Sequence, residues 1–205
     1  MLVTVSASYG AGGSVVAPGV AERLGVAFLD RVAASVTPSE EPHVVGEMAS
    51  DGEDLSKSLW QRIIDSFAAA PPDVAEVAPL AWTDPAQRAR ERAEARLMEF
   101  AQAGGGVVLG WAGAAVLPQA FRVRLDGPVE ARVRQGMAIE GVDEATARAR
   151  LKRSDDIRRV YWRRLYRRDW RDPDLYHLWV DSTAVDLDTT VQLVVLAARA
   201  HAEAG

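Results

Sequence analysis

The sequence contains no cysteine. That excludes disulfides, thiol nucleophiles and thiolate metal sites, and it fits a chain kept in the cytoplasm. No apolar run reaches the twenty or so residues a membrane span needs. The first residues lack a basic segment followed by a long apolar one, so no targeting peptide is expected. Histidine is scarce. His43, His177 and His201 are scattered, suggest no catalytic triad or metal cluster, and read as surface or interface positions. An excess of positive charge is also missing: the net charge is -5, which gives no general reason to bind nucleic acid.

What remains is an ordinary globular composition. Of 205 residues, 48% are hydrophobic and 26% charged. That length suits one domain, 1–205, with room for a small insertion.

The opening stretch, MLVTVSASYGAGGSVVAPGVAERLG, carries most of the functional signal. A β-type run, Leu2 to Ser6, meets a glycine-rich bend and then a helical pattern from Val15 to Leu24. Gly25 is placed to end that helix. Consecutive backbone N–H groups in such a bend, followed by a helix N-terminus, form a nest for anions. Gly10, Ala11, Gly12, Gly13 and Ser14 are therefore the candidate phosphate-binding residues. Ser14 is the candidate Mg²⁺ ligand through its hydroxyl. Against the pattern G-x-x-x-x-G-K-[ST], only Gly12 and Ser14 agree. Gly13 occupies the lysine's position, so the loop has no cation of its own. A ligand-free strand-to-helix turn explains the same residues equally well.

Further along, Val26 to Leu29 reads as a second strand ending at Asp30-Arg31. Segment 38–85 is broken by prolines and reads as a partly helical insertion. The core is then 1–37 and 86–205. A helix rich in Arg and Glu spans Pro85 to Ala103, and Gly104 to Gly106 end it. Val107 to Leu109 and Phe121 to Leu125 are the third and fourth strands. A helix follows from Val129 to about Met137, and Asp143 is the N-cap candidate of the next. Leu178 to Asp181 is the fifth strand. A final helix from Asp188 to about Ala202 shows an apolar ladder of Val191, Val194, Val195 and Ala198. Short apolar strands alternating with helices predict an α/β fold: a five-stranded parallel sheet with helices on both faces. In such sheets ligands bind beyond the carboxyl ends of the strands.

Positive charge is concentrated in one place. Between Arg148 and Arg171 stand eleven Arg or Lys residues and three Asp. Guanidinium groups grip phosphate bidentately and stay charged. Arg153, Arg158, Arg159, Arg163 and Arg164 are spaced to converge on one polyphosphate. The alternatives are a solvated charged face, or an RNA-binding strip interleaved with Tyr161, Trp162, Tyr166 and Trp170. At helical spacing those aromatics also read as core anchors. Asp30 and Arg31 lie at a strand end where a second ligand would be read. Trp111 either stacks on a base or plugs the cleft. Asp126 and Asp181 cap helices as readily as they bind a ligand.

These pieces, in this order, resemble the cytidylate kinase-like family of P-loop nucleoside monophosphate kinases. The resemblance rests on SYGAGGS, VAERLGVAFLDR, VVLGWAGAAVL, FRVRLDGPVEARV and, most specifically, the stretch from Lys152 to Thr183. It implies ATP and Mg²⁺ as cofactors and transfer of a phosphoryl group to CMP or a related small acceptor. It implies an acceptor-binding insertion at 38–85 and an arginine-bearing lid at 148–172. Gly10, Gly12, Gly13 and Ser14 would hold the donor phosphates and metal. Arg153, Arg158 and Arg163 would neutralise charge during transfer. Asp30, Arg31 and Trp111 would lie on the acceptor side. The chain departs from the family's pattern where Ala7, Ser14 and Gly110-Trp111 replace arginine-bearing positions. The loss of one transition-state arginine costs roughly 10³-fold or more in rate. Two readings therefore stand side by side, an active kinase and a kinase fold with a binding or regulatory role. A small-molecule nucleotide is the expected partner; nucleic acid and membrane are not. A homodimer is left open by Trp60, Trp82 and the prolines of the insertion.

Overall fold

The computed structural model describes residues 1–30, 83–110 and 112–204, with side chains from residue 90 onward in the helix that begins at Thr83. The chain divides into two units, Met1–Arg31 with Leu97–Gly205, and Val32–Arg96. The insertion expected at 38–85 falls outside the described residues except for its last three positions. Arg31 and Trp111 fall outside them too.

The strands are β1 (Val3–Ala7), β2 (Phe28–Asp30), β3 (Val107–Leu109), β4 (Phe121–Asp126) and β5 (Leu178–Asp181). The helices are α1 (Gly13–Leu24), α2 (Thr83–Gln102), α3 (Gly113–Val116), α4 (Val129–Glu140), α5 (Glu144–Tyr166) and α6 (Leu187–Ala204). The sheet runs β2-β3-β1-β4-β5, and every neighbouring pair is parallel. The expected fold class is what forms. Element ends move by one to three residues, chiefly because α4 continues to Glu140 and α1 starts at Gly13.

Alternation along β4 sorts its side chains. Phe121, Val123 and Leu125 join Val3 and Val5 in a core closed by Val16 and Val20 of α1 and Val191, Val194 and Ala198 of α6. The ladder expected on the last helix is thus the one that is buried. A second core contains Leu29, Leu97, Val108, Leu117 and Ala120. Gly25 caps α1 at φ 67°, and Asp143 caps α5 by accepting from the Thr146 amide at 2.7 Å. Trp162 and Trp170 are buried with Leu175, which settles their role as core anchors and removes them from any stacking strip.

The histidines are not all scattered. His177 and His201 stack at 5.0 Å between ring centroids, beside Phe121. His177 Nδ1 accepts from the Arg122 amide at 3.2 Å, so that nitrogen is unprotonated in the fold. Burial, then Arg122, then His201 hold its pKa below the ordinary value. A depressed base refuses a proton that the unfolded chain accepts. Its contribution to stability is therefore complete above about pH 6.5 and falls as pH drops through the lower folded value. Thermal melts should show a loss between pH 7 and 5 that shrinks in His177→Asn, whose amide oxygen can still accept from Arg122. Identical pH dependence in both proteins would exclude this role for His177.

Candidate functional site

Register brings the strand ends together. Ala7 pairs with Leu125, Asp126 with Asp181, and Leu109 with both Val5 and Asp30. The glycine loop, Asp30 and the two later aspartates therefore share one edge of the sheet, where parallel α/β sheets bind ligands.

The loop is held in a shape that glycine makes possible. Gly10 has φ 73° and Gly12 has φ 72°, both left-handed. Gly12 caps α1 and accepts from the amides of Val15 and Val16 at 3.0 and 2.9 Å. The amides of Gly13 and Ser14, which open the helix, have no intrahelical acceptor and sit at the positive end of the helix dipole. Ala11, Gly12 and Gly13 are buried, whereas Ser14 is exposed at the helix start. Its hydroxyl is thus open to a ligand. Among the described residues no cluster of three His, Cys, Asp or Glu could hold a metal ion. The Ser14 hydroxyl is a hard oxygen donor of the kind that suits Mg²⁺.

Two serines fasten the loop from either side. Ser182 Oγ donates to the Ala11 carbonyl at 2.7 Å from the end of β5. Ser8 Oγ accepts from Arg124 Nη2 at 2.7 Å. Arg124 is fully buried, pairs with Asp126 at 2.8 Å and lies 4.0 Å from the Trp170 ring centroid. Burial lowers the pKa of Arg124 against the pull of Asp126. Burial pushes Asp126 up, but Arg124, Ser8 and Arg132 outweigh it and hold the carboxyl below its usual range. Asp126 is therefore an ion-pair partner. Asp181 accepts from the Thr183 amide and hydroxyl at 2.9 and 2.6 Å, in a turn and not at a helix start.

Tyr9 leaves the loop toward α4. Its ring lies against Gly136, where an added Cβ would stand 2.9 Å from Tyr9 Cε1. Its hydroxyl donates to Glu140 at 2.8 Å, and Arg150 of α5 donates to the same carboxylate at 2.6 Å. Burial and then Glu140 raise the Tyr9 pKa, so the phenol stays protonated.

The arginine-rich helix is α5, and its cations fall into distinct settings. Arg148 pairs with Glu130 and Glu144, and Arg159 with Asp156. Arg158 is partly buried: Nη1 donates to Ser154 at 2.6 Å and lies 3.9 Å from Asp155. Arg153 and Arg163 are exposed. Asp155 is buried and also takes Arg132 at 3.3 Å and Arg171 at 3.4 Å. Of the arginines expected to act, Arg158 joins this buried network. On the other side of the sheet edge, Asp30 closes β2, and its Oδ1 is buried with no hydrogen-bond partner among the described residues.

The sequence alone does not single out Arg124, Arg132 or Ser182, and it offers Asp155 only as one of three acids, with Asp156 and Asp169, that could partner the arginines of a solvated face. The signal for Arg124 was present: in FRVRLD a charged residue alternates with core residues on a strand of a sheet covered on both faces. Arg132 sits beside Val133 and one turn before Gly136, on the buried stripe of α4.

The model of the cytidylate kinase-like family matches residues 2–184. No curated protein matches the chain. Among solved structures, an uncharacterized protein from Eubacterium ventriosum superposes with a TM-score of 0.64 at 20% identity, covering 97% of this chain and 98% of its own. A gluconokinase from Sinorhizobium meliloti gives 0.53 at 17% identity, over 98% and 93%. At these identities the likeness is one of fold.

Proposed function

The chain belongs to the cytidylate kinase-like family, and from that membership we propose that it transfers the γ-phosphoryl group of ATP to a CMP-like nucleoside monophosphate or a related small acceptor. The observation that carries this reading is the loop: left-handed Gly10 and Gly12, helix-start amides without intrahelical acceptors, and the exposed Ser14 hydroxyl. The amides of 12–14 would hold donor phosphates, and Ser14 would hold Mg²⁺ together with them. The bound metal would supply charge neutralisation at the phosphate oxygens. The protein's own share is positioning and positive potential, which is most of what phosphoryl transfer requires. Arg158, with Arg153 and Arg163 farther out on the lid, would face the transferring group when residues 148–172 close. Asp30, with its unpartnered carboxylate oxygen, supports an acceptor side at β2, to which Arg31 and Trp111 also belong in this reading. The insertion at 38–85 would bind the acceptor. The chain would work in the cytoplasm, in keeping with its lack of cysteine.

One observation favours the second reading, a kinase fold that binds nucleotide without turnover. Arg148, Arg158, Arg159 and Arg171 already hold acidic partners in the free protein. ADP release should be measured with Mg²⁺, ATP and a panel of nucleoside monophosphates. Turnover with a pyrimidine monophosphate, reduced on the order of tenfold or more in Ser14→Ala, is the expected result. ATP binding without turnover on any acceptor would leave the binding role, and absence of both would remove the kinase reading.

A further inference from the structure

The loop has no lysine, yet a cation lies directly beneath it. Arg132 of α4 is 2% exposed. Its Nε donates to the Gly127 carbonyl at 3.0 Å and lies 3.4 Å from Asp126 Oδ1. Its Nη1 donates to the Tyr9 carbonyl at 3.2 Å, and its Nη2 to Asp155 at 3.3 Å. The backbone of the same residue supports the next position of the loop: a Cβ on Gly10 would sit 1.9 Å from the Arg132 carbonyl oxygen. One residue thus meets the loop twice and joins it to the end of β4 and to α5.

Arg132 is too buried to clasp a phosphate itself. Its charge is not cancelled one for one either. Asp126 is shared with Arg124, and Asp155 with Arg171, so even without Arg158 three guanidiniums share these two carboxylates. A planar guanidinium can serve three acceptors at fixed angles, which an ammonium cannot. We propose that Arg132 is the positioning residue of the phosphate loop: it fixes Tyr9-Gly10 and supplies from below the positive potential that a loop lysine would supply from within. This rests on the reading that the loop holds phosphate. Unit charges on the order of 10 Å apart at an effective dielectric of about 20 alter an affinity about tenfold.

The test uses the full chain, inorganic tripolyphosphate as the anion, and hydrogen exchange of amides 8–14. Arg132→Met should bind tripolyphosphate about tenfold more weakly and exchange faster in the loop. Arg132→Lys should regain most of the affinity while the loop still exchanges fast, because charge returns without the fork. Should Arg132→Met fail to fold, Arg132→Met/Asp155→Asn removes the stranded carboxylate and carries the exchange measurement. Wild-type exchange in the loop of a folded Met variant would overturn the positioning role. Equal weakness of Lys and Met variants, or no anion binding by the wild type, would overturn the charge role. Failure of the kinase reading is seen separately, as tripolyphosphate binding without turnover.

Discussion

Gly10→Ala is expected to destabilise the protein by about 3 kcal/mol and to disorder the loop. Two costs combine. A left-handed backbone costs an alanine roughly 1–2 kcal/mol. The added methyl then has no room, because it would stand 1.9 Å from the Arg132 carbonyl oxygen and 2.7 Å from the carbonyl carbon. Backbone atoms in the first turn of α4 cannot rotate away as a side chain could. Relief requires the loop or the helix to shift, and overpacking of that kind costs roughly 1–3 kcal/mol. Urea denaturation should report the loss as a lower midpoint with an unchanged slope. Gly25→Ala is the control: its φ of 67° is similarly left-handed, but nothing lies within 4 Å of an added Cβ. It should lose only the conformational part. Equal losses at both sites would mean that contact with Arg132 contributes nothing.

This contact explains why the loop was only partly legible in the sequence. A run of glycines after a strand announces a tight turn, and the strand-loop-helix order announces where it sits. What two of these glycines are for depends on residues more than a hundred positions away: Gly10 yields to Arg132 and Gly12 to Leu187. The fold was easier to read because its signals are local and periodic: β4 alternates, α6 carries its ladder, and Gly25 and Asp143 mark helix ends. The cationic stretch 148–171 was legible as a concentration of charge but not as a set of roles. Sequence spacing places arginines around a helix without telling which of them find carboxylates. Asp155 became the centre of the network because it is the buried acid of that helix, a fact of packing that a run of Arg and Asp does not display.

The second large effect is expected at Arg124. It stands on β4, an interior strand, with none of its surface exposed, between Ser8, Asp126 and the Trp170 ring. Trp170 in turn has Arg171 at 5.0 Å and Arg158 at 5.7 Å from its ring centroid. Arg124→Leu should cost about 3–5 kcal/mol, since it leaves Asp126 short of its closest cation and Ser8 without its donor. Arg124→Lys keeps the charge but loses the flat stacking surface. It should cost less, about 1–2 kcal/mol, the worth of a desolvated cation–aromatic contact. A double-mutant cycle separates the charge from the packing. If the loss in Arg124→Leu comes mainly from a stranded carboxylate, adding Asp126→Asn should restore part of it, with a coupling of about 1–3 kcal/mol. Strict additivity would assign the cost to the cavity and the lost ring contact instead. The consequence reaches the site by either route, because Ser8 begins the loop and Trp170 packs beside Arg158. A guanidinium buried on an interior strand thus ties the start of the glycine loop to the ring that packs beside Arg158.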